Sequence, residues 1–575
     1  MKRIILFPMI CLFVVLLSSC HNELRIAEQQ QNFNNQYFSY SRYQLTTAIV
    51  NTAVPYGKGV VLQEQAQADW YSVNCYSGDN FPTFFKVRTP NWQLNDGSNP
   101  YTGIFRTCIA LETLAASEGN NSNIAVSQIL RAVNLAYLTE KYGDVPYSKA
   151  DLGRTGDIFP TYDSQKLVYT QLFNLLSSAV KTLSSPNASA LPASQDVLYS
   201  GNAAKWINFA NSLKFRLIMH SYNAFKNAGI DYADTLKAIV SSGNYMQSNA
   251  DNASLPFVGT NGSDSWYTNT ATWGSINSFT EIKPSNTLVQ KLLALNDPRL
   301  YVWFAPAQMP ESASSTTTQE AVIINGFNYS ITHDPANNPL FGNHPVNSFD
   351  DNGNPISVPY PLDARWIGAP TIFEINVIYD GTFTAAGNND NRRLTGLSNL
   401  FQKAGGDPRL KAVMMEASEM QFLLAEARAK NLITSGTASG YYNAGISLSF
   451  DRWQIANGTT PATYDGSTSI QSSYSDYLSN PAVALAGDAT DLTKIYFQKW
   501  LANYLTNHTE EYTEIRRTGN PTFAESISIA FAGDSYPYRN LYPFDELNNN
   551  SANNTAALAG IGGTDAGGAK MWIFK

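Results

Sequence analysis

One stretch of the chain, residues 259–280, combines aromatic rings with polar side chains in a mixture that suits sugar binding. The residues concerned are Asp264, Trp266, Tyr267, Asn269 and Trp273. An indole or phenol ring offers a flat face to the C–H surface of a sugar, while carboxylate and amide groups bond its hydroxyls. Neither a helical nor a strand period explains the three rings as core residues. We therefore predict that this stretch contacts a ligand.

A second aromatic group, Trp70, Tyr71 and Trp92, lies in the long connection before the first strongly periodic helix, which begins near Tyr101. Loops held on a rigid scaffold often carry ligand contacts, so these three residues are further binding candidates.

The remaining tryptophans divide by context. Trp206, Trp453 and Trp500 fall on apolar helical stripes and are predicted to be core residues. Trp303 follows a turn and Trp366 lies in a proline-rich stretch, where ligand contact and burial under a loop fit equally well.

Signatures of common hydrolases and metal sites are absent from the sequence. It contains no Gly-x-Ser-x-Gly, no His-Glu-x-x-His and no phosphate-binding loop, and its five histidines lack zinc-ligand spacing. The alternating Asp350, Asn352 and Asn354 begin like a calcium loop, but Pro355 stands where that loop needs glycine. No cofactor or metal is predicted.

The densest charged cluster suggests a structural role. It consists of Glu510, Glu511, Glu514, Arg516 and Arg517. A glycosidase needs two carboxyl groups that face each other across a cleft, whereas these groups are close neighbours on one helix. We predict ion pairs that close this helix before Gly519, and structural roles for Arg216 and Arg299 as partners of buried carboxylates or carbonyls.

The N-terminus has the pattern of a bacterial lipoprotein signal. Two basic residues precede an apolar run, residues 4–17, that ends in Ser18-Ser19-Cys20. The run is shorter than the about 20 residues that a membrane-spanning helix needs. Residues 1–19 are predicted to be the signal peptide, Cys20 the lipidated residue, and residues 20–36 a tether to the outer membrane.

Cys75 and Cys108 remain once the signal and the lipidated cysteine are set aside. An exported compartment permits a disulfide between them, while the apolar helical setting of Cys108 also fits a buried thiol. Both alternatives stay open.

Apolar residues at helical spacing predict a mostly α-helical chain. Helices are predicted from Tyr101, from Ile124 to the turn at Gly143, after a Thr161 cap, around 206–217, over 414–430 and over 441–453. They form antiparallel pairs, which predicts a tetratricopeptide-like scaffold. Ala425, Ala427 and Ala429 are small enough for neighbouring helices to approach closely.

Long irregular segments interrupt the helices. Residues 259–280 and 311–400 are rich in Asn, Gly, Ser, Thr and Pro, with short strands predicted at 321–324 and 372–378. We interpret them as loop-rich, ligand-binding insertions in a single domain over residues 37–575.

The composition of the chain excludes one class of binding partner. Aromatic residues make up 12% of the chain and charged residues 15%, with a formal net charge of −8. A chain this rich in apolar surface folds, and its charge balance offers no basic face for DNA or RNA. We predict no nucleic-acid partner.

Five motifs in order resemble the SusD/RagB-like lipoproteins. They are the segment 142–148 (YGDVPYS), 206–216 (WINFANSLKFR), 297–300 (DPRL), 423–427 (LLAEA) and 516–521 (RRTGNP). A tyrosine- and proline-rich segment, 536–543, and an asparagine-rich tail, 548–554, match a SusD-like subgroup.

The resemblance implies a tetratricopeptide-like α-α superhelix on the outer face of the outer membrane. It also implies that the protein is not an enzyme. The expected function is to capture oligosaccharides and deliver them, as a lid, to a SusC-type TonB-dependent transporter.

Peptide or another oligomeric cargo is the nearest alternative to a glycan. An exported hydrolase is a second, and a two-lobed solute-binding lipoprotein is a third, although its alternating strands and helices are not evident in the first half of the chain.

Overall fold

The computed structural model describes most of the chain. The described residues are 40–58, 71–73, 88–94, 98–150, 156, 158–257, 282–308, 315–324, 327–333, 348–349, 355–356, 365–366, 368, 394–402, 407–455, 463–464, 468–469, 474–504, 507–521 and 538–575. The predicted signal peptide, Cys20 and tether lie outside these ranges.

The first half of the described chain is a run of helices that pack on their neighbours. They are α1 (Ser41–Lys58), α2 (Arg106–Glu118, preceded by a π-helical turn, Tyr101–Phe105), α3 (Asn121–Tyr142), α4 (Gln165–Leu183), α5 (Ala203–Asn227) and α6 (Ala233–Ser242). Helix α2 packs on α1 and α3, and α4 lies between α3 and α5. The predicted pairing of successive helices is confirmed here.

Local capping chemistry sets the helix ends. Asn120, Ser164 and Asn202 each accept a hydrogen bond from a backbone N–H in the first turn of α3, α4 and α5, respectively. The cap of α4 is therefore Ser164, and the predicted Thr161 cap is wrong by three residues. Gly143, with a φ of 89°, ends α3 at the predicted turn because its backbone conformation strains other residues.

The second half also contains helices, but strands and long connections separate them. They are α7 (Asn286–Leu295), α8 (Arg299–Trp303), α9 (Ala417–Ala429), α10 (Ala438–Arg452), α11 (Tyr474–Ser479), α12 (Asp491–Ala502), α13 (His508–Thr518), α14 (Phe544–Asn549) and α15 (Ser551–Ala559). Helix α9 packs against both α10 and α12.

The helix predicted over 414–430 begins later than expected, because residues 411–415 form a strand. This strand pairs with residues 253–256, so its backbone groups form hydrogen bonds between strands instead of within a helix. The helix predicted over 441–453 spans 438–452 instead, with Thr437 Oγ1 accepting from the N–H of Gly440.

Helices α9 and α10 approach each other closely, as the alanines of α9 predict. Ala425 and Ala427 are fully buried. On α10, Gly445 lies so near the Phe422 ring of α9 that a Cβ atom there would stand 2.8 Å from a ring carbon. The missing side chain of Gly445 permits this contact.

The described strands are short and form several separate ladders. They are β1 (Tyr71–Val73), β2 (Val145–Pro146), β3 (Tyr162–Asp163), β4 (Ala253–Pro256), β5 (Ile282–Pro284), β6 (Phe304–Ala305), β7 (Thr318–Ile324), β8 (Phe327–His333), β9 (Ser348–Phe349), β10 (Pro355–Ile356), β11 (Gly396–Leu397), β12 (Lys411–Met415), β13 (Thr463–Tyr464) and β14 (Thr468–Ser469). The pairs are β1–β5, β2–β3, β4–β12, β6–β11 and β9–β10, and the order β14–β13–β7–β8 forms a four-stranded sheet.

The β7–β8 hairpin contains the strand predicted at 321–324 and extends it to 318–324, with Thr318 opposite His333. The strand predicted at 372–378 lies outside the described residues.

Three apolar clusters form the core of the described structure. The first joins α1–α6 to the end of the chain, where Met571 and Ile573 are buried. The second lies around Trp303 and the third around Phe422.

The tryptophan assignments can be checked against these clusters. Trp206, Trp453 and Trp500 are fully buried, which confirms that they are core residues. Trp303 and Trp366 are also buried, and both pack in the second cluster.

The tyrosine- and proline-rich segment folds back onto the end of α3. The N–H of Asn540 donates to the carbonyl of Lys141 at 2.8 Å, and Arg539 Nε donates to that of Tyr142 at 3.1 Å. The Tyr542 hydroxyl donates to the carbonyl of Asp144 at 3.0 Å. Two motifs about 400 residues apart in sequence thus form one contact.

Within the described ranges, none of the helices combines the length and the apolar character needed to cross a membrane.

Candidate functional site

A short antiparallel ladder connects two strands that adjoin the predicted aromatic segments in sequence. Strand β1 pairs with β5 so that Tyr71 lies opposite Pro284 and Val73 opposite Ile282. Trp70 directly precedes β1, and the 259–280 segment ends two residues before β5. Because neighbouring strands lie about 4.8 Å apart, the residues just after Trp70 lie beside those that follow the 259–280 segment in sequence.

Most of the predicted ligand-contacting residues lie outside the part of the chain that the structure describes. Trp70, Asp264, Trp266, Tyr267, Asn269 and Trp273 lie outside the described residues. The backbone of Tyr71 is described, but its side chain is not. Their contact with a ligand stays a prediction.

The ladder is anchored through the helix that follows it. Ser285 Oγ caps α7 by accepting from the N–H of Leu288 at 3.1 Å. Leu288, Val289 and Leu292 are fully buried in the second core cluster. Strand β5 is therefore tied to the core at its C-terminal end.

A buried ion pair stabilises the turn after α7. Arg299 Nη2 lies 2.6 Å from Asp297 Oδ2, and both side chains are fully buried. Gln498 and Tyr477 also bond this arginine, at 2.9 and 3.4 Å. The prediction that Arg299 is a structural partner of a buried carboxylate is confirmed.

Trp92 occupies a different position from the one predicted. Its side chain is only 5% exposed and packs edge-on against Tyr142, at 4.9 Å between ring centroids, and against Tyr542, at 5.9 Å. Its indole N–H donates to Glu546 at 2.7 Å, and the Tyr162 hydroxyl donates to the same carboxylate at 2.6 Å. In this arrangement Trp92 is a packing residue and does not present an open ring face.

Glu546 and Tyr162 were not predicted as partners of Trp92. Burial and the Glu546 carboxylate raise the pKa of the Tyr162 hydroxyl, which therefore stays protonated and donates. The asparagine-rich tail that follows Glu546 marks this part of the chain in the sequence. However, nothing in that tail indicates that Glu546 bonds Trp92, which lies 454 residues away.

Nine charged side chains from five helices form a second polar centre, which we call the buried charge network. Its members are Glu140, Arg216, His220, Glu419, Glu426, Lys499, Glu510, Glu514 and Arg517. They come from α3, α5, α9, α12 and α13, and every one is at most 10% exposed at its side chain.

His220 lies at the middle of the network. Its Nδ1 is 2.8 Å from Glu140, and its Nε2 is 3.0 Å from Glu510 and 3.3 Å from Glu514. Burial lowers the pKa of the imidazole, but Glu510 and Glu140 outweigh it and raise that pKa to about 10. The ring is therefore charged at neutral pH.

The other members are paired in the same way. Arg216 bonds Glu419 at 3.1 Å and approaches Glu510 at 3.4 Å. Arg517 bonds Glu426 at 2.7 Å and Glu514 at 2.6 Å. Burial raises the pKa of Glu419 to about 7, whereas Arg517 and Lys430 overcome burial and lower the pKa of Glu426.

Part of this network was predicted and part was not. Arg216 is confirmed as a partner of buried carboxylates, and Arg517 pairs with Glu514 inside α13 as expected. Arg516 departs from the prediction, because it bonds backbone carbonyls and a hydroxyl, as described below. Lys499 and Glu426 were missed, although a charge inside an apolar helical stripe signals a buried pair.

The buried charge network is poorly suited to binding a metal ion or to catalysing hydrolysis. His220, Glu510 and Glu514 lie within ligand distance of one another. However, the Lys499 ammonium bonds Glu510 and lies 3.1 Å from Glu514, so it already fills the place that a cation would take. A glycosidase needs an unpaired carboxyl group beside its substrate, and these carboxylates are paired with buried cations.

Cys108 is buried on α2. Cys75 lies outside the described residues, so the disulfide stays a prediction.

Comparisons with known proteins agree with this architecture. A family model described as starch-binding and associating with the outer membrane matches residues 66–348. A second, described as the SusD and RagB outer membrane lipoproteins, matches residues 378–574. No curated protein matches the chain in sequence.

Several solved structures share the fold. A SusD homologue from Bacteroides fragilis aligns with a TM-score of 0.71 at 19% identity, covering 93% of this chain and 100% of its own. Another from the same species has a TM-score of 0.68 at 20% identity, with 93% and 99% covered. A chitin-binding SusD homologue from Flavobacterium johnsoniae aligns with a TM-score of 0.66 at 20% identity, with 93% and 98% covered.

Proposed function

Because this chain belongs to the SusD-like family of outer membrane lipoproteins, we propose that it captures oligosaccharides at the cell surface and passes them to a SusC-type TonB-dependent transporter, which it covers as a lid. In this proposal the lipid on Cys20 holds the protein at the outer membrane. The protein itself breaks no bond in the glycan.

The β1–β5 ladder is the observation that supports a binding site most directly. It pairs Tyr71–Val73, which directly follow Trp70 in sequence, with Ile282–Pro284, which begin two residues after the 259–280 segment. An arc of rings with polar neighbours is what a sugar chain needs, because each ring covers one sugar face while amides and carboxylates bond the hydroxyls. The chitin-binding relative with the same fold is compatible with a sugar as cargo.

The expected strength of binding suits a relay. One ring that covers roughly 60–100 Å² of sugar carbon contributes on the order of 2 kcal/mol, before the cost of ordering the glycan. Two such platforms with a few hydrogen bonds correspond to dissociation constants of about micromolar to millimolar. Such a complex forms readily and still releases its cargo to the transporter.

None of the nine members of the buried charge network belongs to β1, β5 or the aromatic segments. Its carboxylates are satisfied by buried cations, so they are not available as a catalytic acid and base. This supports a binding protein over the exported hydrolase.

The proposed site is tested with Trp266→Ala combined with Trp273→Ala. Calorimetry against a panel of polysaccharides and peptides first identifies a ligand, while released reducing ends and amines are recorded. We expect the double variant to bind that ligand at least about tenfold more weakly, since it loses two platforms. Its melting temperature should equal that of the parent chain.

Trp206→Phe serves as the control, because Trp206 is a fully buried core residue. It should lower the melting temperature and leave affinity unchanged. A large fall in melting temperature for the Trp266 and Trp273 variant would instead make these residues part of the core. Cleavage of the ligand would favour the hydrolase, and binding of peptides alone would change the cargo.

The anchor has its own test. Cys20→Ala removes the thiol that carries the lipid, so the protein should appear in the soluble fraction after cell lysis. A Cys20→Ala protein that stays with the outer membrane would contradict the anchor.

A further inference from the structure

A deep cleft lies away from the β1–β5 ladder, between the C-terminal turns of α5 and α13 and the last residues of the chain. Its volume is about 880 Å³, and its wall includes Tyr222, Thr518 and Phe574. Small-molecule sites commonly have volumes of about 300–1,000 Å³, so the cleft is large enough for a ligand of one to a few sugar rings. We call it the cationic cleft, for the charges described next.

The wall of the cleft is rich in positive charge, although the whole chain is negative. Its basic residues are Lys226, Lys430, Arg516, Arg517, Lys570 and Lys575. Two of these charges are paired with buried carboxylates, because Glu426 lies 2.6 Å from Lys430 and 2.7 Å from Arg517, and Glu514 lies 2.6 Å from Arg517.

Lys226 is only weakly compensated. Its Nζ lies 4.0 Å from Asp231, and both side chains are more than half exposed to solvent. A pair of this kind contributes little, because water screens the attraction.

Arg516 is the unusual member. Its guanidinium donates to the carbonyls of Tyr512, Glu140 and Tyr538 at 2.7–2.9 Å and to Thr513 Oγ1 at 2.9 Å. These bonds use four of its five N–H groups. Among the described residues no carboxylate lies within ion-pair distance of it, although the side chain is only 6% exposed.

Aromatic rings stabilise this cation only in part. The Arg516 guanidinium carbon lies 3.7 Å from the ring centroid of Tyr512 and 5.1 Å from that of Phe574. A buried charge without a counter-ion is costly, so an anion in the cleft gains from this position.

Lys570 adds a second charge without a carboxylate. Its ammonium lies 5.0 Å from the ring centroid of Tyr538, and among the described residues no acidic side chain forms an ion pair with it. The side chain is exposed and lines the same cleft as Arg516.

Helix dipoles reduce the positive potential but do not cancel it. Helices α5 and α13 end at the cleft, and each C-terminus carries roughly half a negative charge. Together they offset about one unit charge, which is less than the charges of Arg516, Lys570 and Lys226 combined. Asp231 offsets Lys226, and the α-carboxylate of Lys575 offsets the ammonium of the same residue, so Arg516 and Lys570 leave the formal charge of the lining positive.

We propose that the cationic cleft binds a sugar residue that carries a carboxylate, such as a uronic acid. Arg516 and Lys570 would bond the carboxylate. The rings of Tyr496, Tyr538 and Phe574 would cover the sugar, and Thr518 would bond a hydroxyl. Rings alternating with cations favour a charged sugar over a bare inorganic anion, which would leave the rings uncovered.

This site shares no residue with the aromatic segments of the proposed function, so either can fail alone. The probe is the trimer of galacturonic acid, with its fully methyl-esterified form as the matched neutral ligand. Calorimetry with the purified full chain, at low and high salt, measures both. We expect the acid to bind at least about tenfold more tightly than the ester, and the difference to shrink in high salt.

Two charge reversals locate the site. Lys570→Glu should weaken binding of the acid about tenfold, because it places a carboxylate beside the bound one. Lys181→Glu is the control, since Lys181 is an equally exposed lysine at the end of α4 and outside the cleft. It should change the affinity by less than about twofold, because water and salt screen distant charges. Both side chains are exposed, so both variants should melt with the parent chain.

Equal affinity for acid and ester, or no binding of the acid, would overturn the proposal. So would binding that Lys570→Glu leaves intact and that the Trp266 and Trp273 variant abolishes, because that result would place the charged sugar at the aromatic segments. A neutral glycan that still binds while the acid does not would leave the proposed function standing and remove only the cationic cleft.

Discussion

The buried charge network and the β1–β5 ladder are held in place in opposite ways. The network ties five helices together through side chains that are at most 10% exposed, and most of its members have more than one charged partner. The ladder consists of three residue pairs between short strands, and long connections lead into both. Substitutions in the buried charge network should lower the free energy of unfolding by a large amount. Substitutions in the β1–β5 ladder should have a small effect on the stability of the rest of the molecule.

This difference suits a protein that binds a polymer. Rigid helices carry most of the stability, since they bury large apolar faces and satisfy their charges internally. The segments proposed to bind the ligand adjoin one small ladder in sequence, and loops of this kind can vary without loss of the fold. Three changes test this contrast.

The largest expected effect comes from the network. Arg517→Met removes a guanidinium that bonds Glu426 at 2.7 Å and Glu514 at 2.6 Å, and leaves two buried carboxylates short of a partner. We expect the free energy of unfolding to fall by about 3–5 kcal/mol, as for other broken buried pairs. Denaturant titration followed by fluorescence measures it.

Lys237→Met is the matched control, because the Lys237 pair with Asp234 on α6 is exposed. It should leave stability unchanged within error. A similar loss of unfolding free energy in both variants would contradict the expectation that the buried network stabilises the fold more than an exposed ion pair does.

The second effect is a dependence on pH. His220 has a pKa of about 10 in the fold, against about 6.5 in an unfolded chain, so its charged form stabilises the fold at neutral pH. This stability is lost as pH rises toward 10, by roughly 2 kcal/mol between pH 7 and pH 9. Denaturant titrations at several pH values measure the slope.

His220→Gln cannot take up the proton, so its stability should be lower at pH 7 and nearly flat over the same range. A parent chain whose stability does not fall between pH 7 and pH 9 would contradict a charged His220.

The smallest effect on stability is expected at the ladder. Ser72→Pro places a residue without an N–H in the middle of β1, which disfavours pairing with β5. We expect a loss of about 1 kcal/mol or less, because only one or two hydrogen bonds are involved. Glycan affinity should fall much more, since the two aromatic segments lose their common support.

Ser72→Ala keeps the N–H and should behave like the parent chain. Unchanged glycan affinity in the proline variant would mean that the ladder does not position the binding site.

Much of the scaffold was predictable because it depends on neighbours in sequence. Apolar spacing identified α2, α3, α4 and α5, and Gly143 ended α3 where expected. Boundaries were less certain where two structures compete locally. Residues 411–415 pair with β4 as a strand, although their apolar pattern also fits the start of a helix.

The candidate site was predictable in composition but not in arrangement. Mixed aromatic and polar segments could be selected from sequence, yet only the ladder brings residue 73 beside residue 282. Trp92 shows the reverse case. Its sequence surroundings favoured an exposed ring, but Glu546 and four tyrosine rings enclose it, and most of these come from distant parts of the chain.

By itself the sequence determined the helical character of this protein, its resemblance to a lipoprotein family and the residue types suited to sugars, because these depend on periodicity, composition and short motifs. Only the tertiary structure decided which charges are neutralised and which are not. Arg517 and Arg516 are adjacent in sequence, but Arg517 meets Glu426 and Glu514 while Arg516 meets carbonyl groups and a hydroxyl. Their directions differ by about 100° around α13, so they face different neighbours. Those neighbours come from helices far away in the chain, which no local pattern specifies.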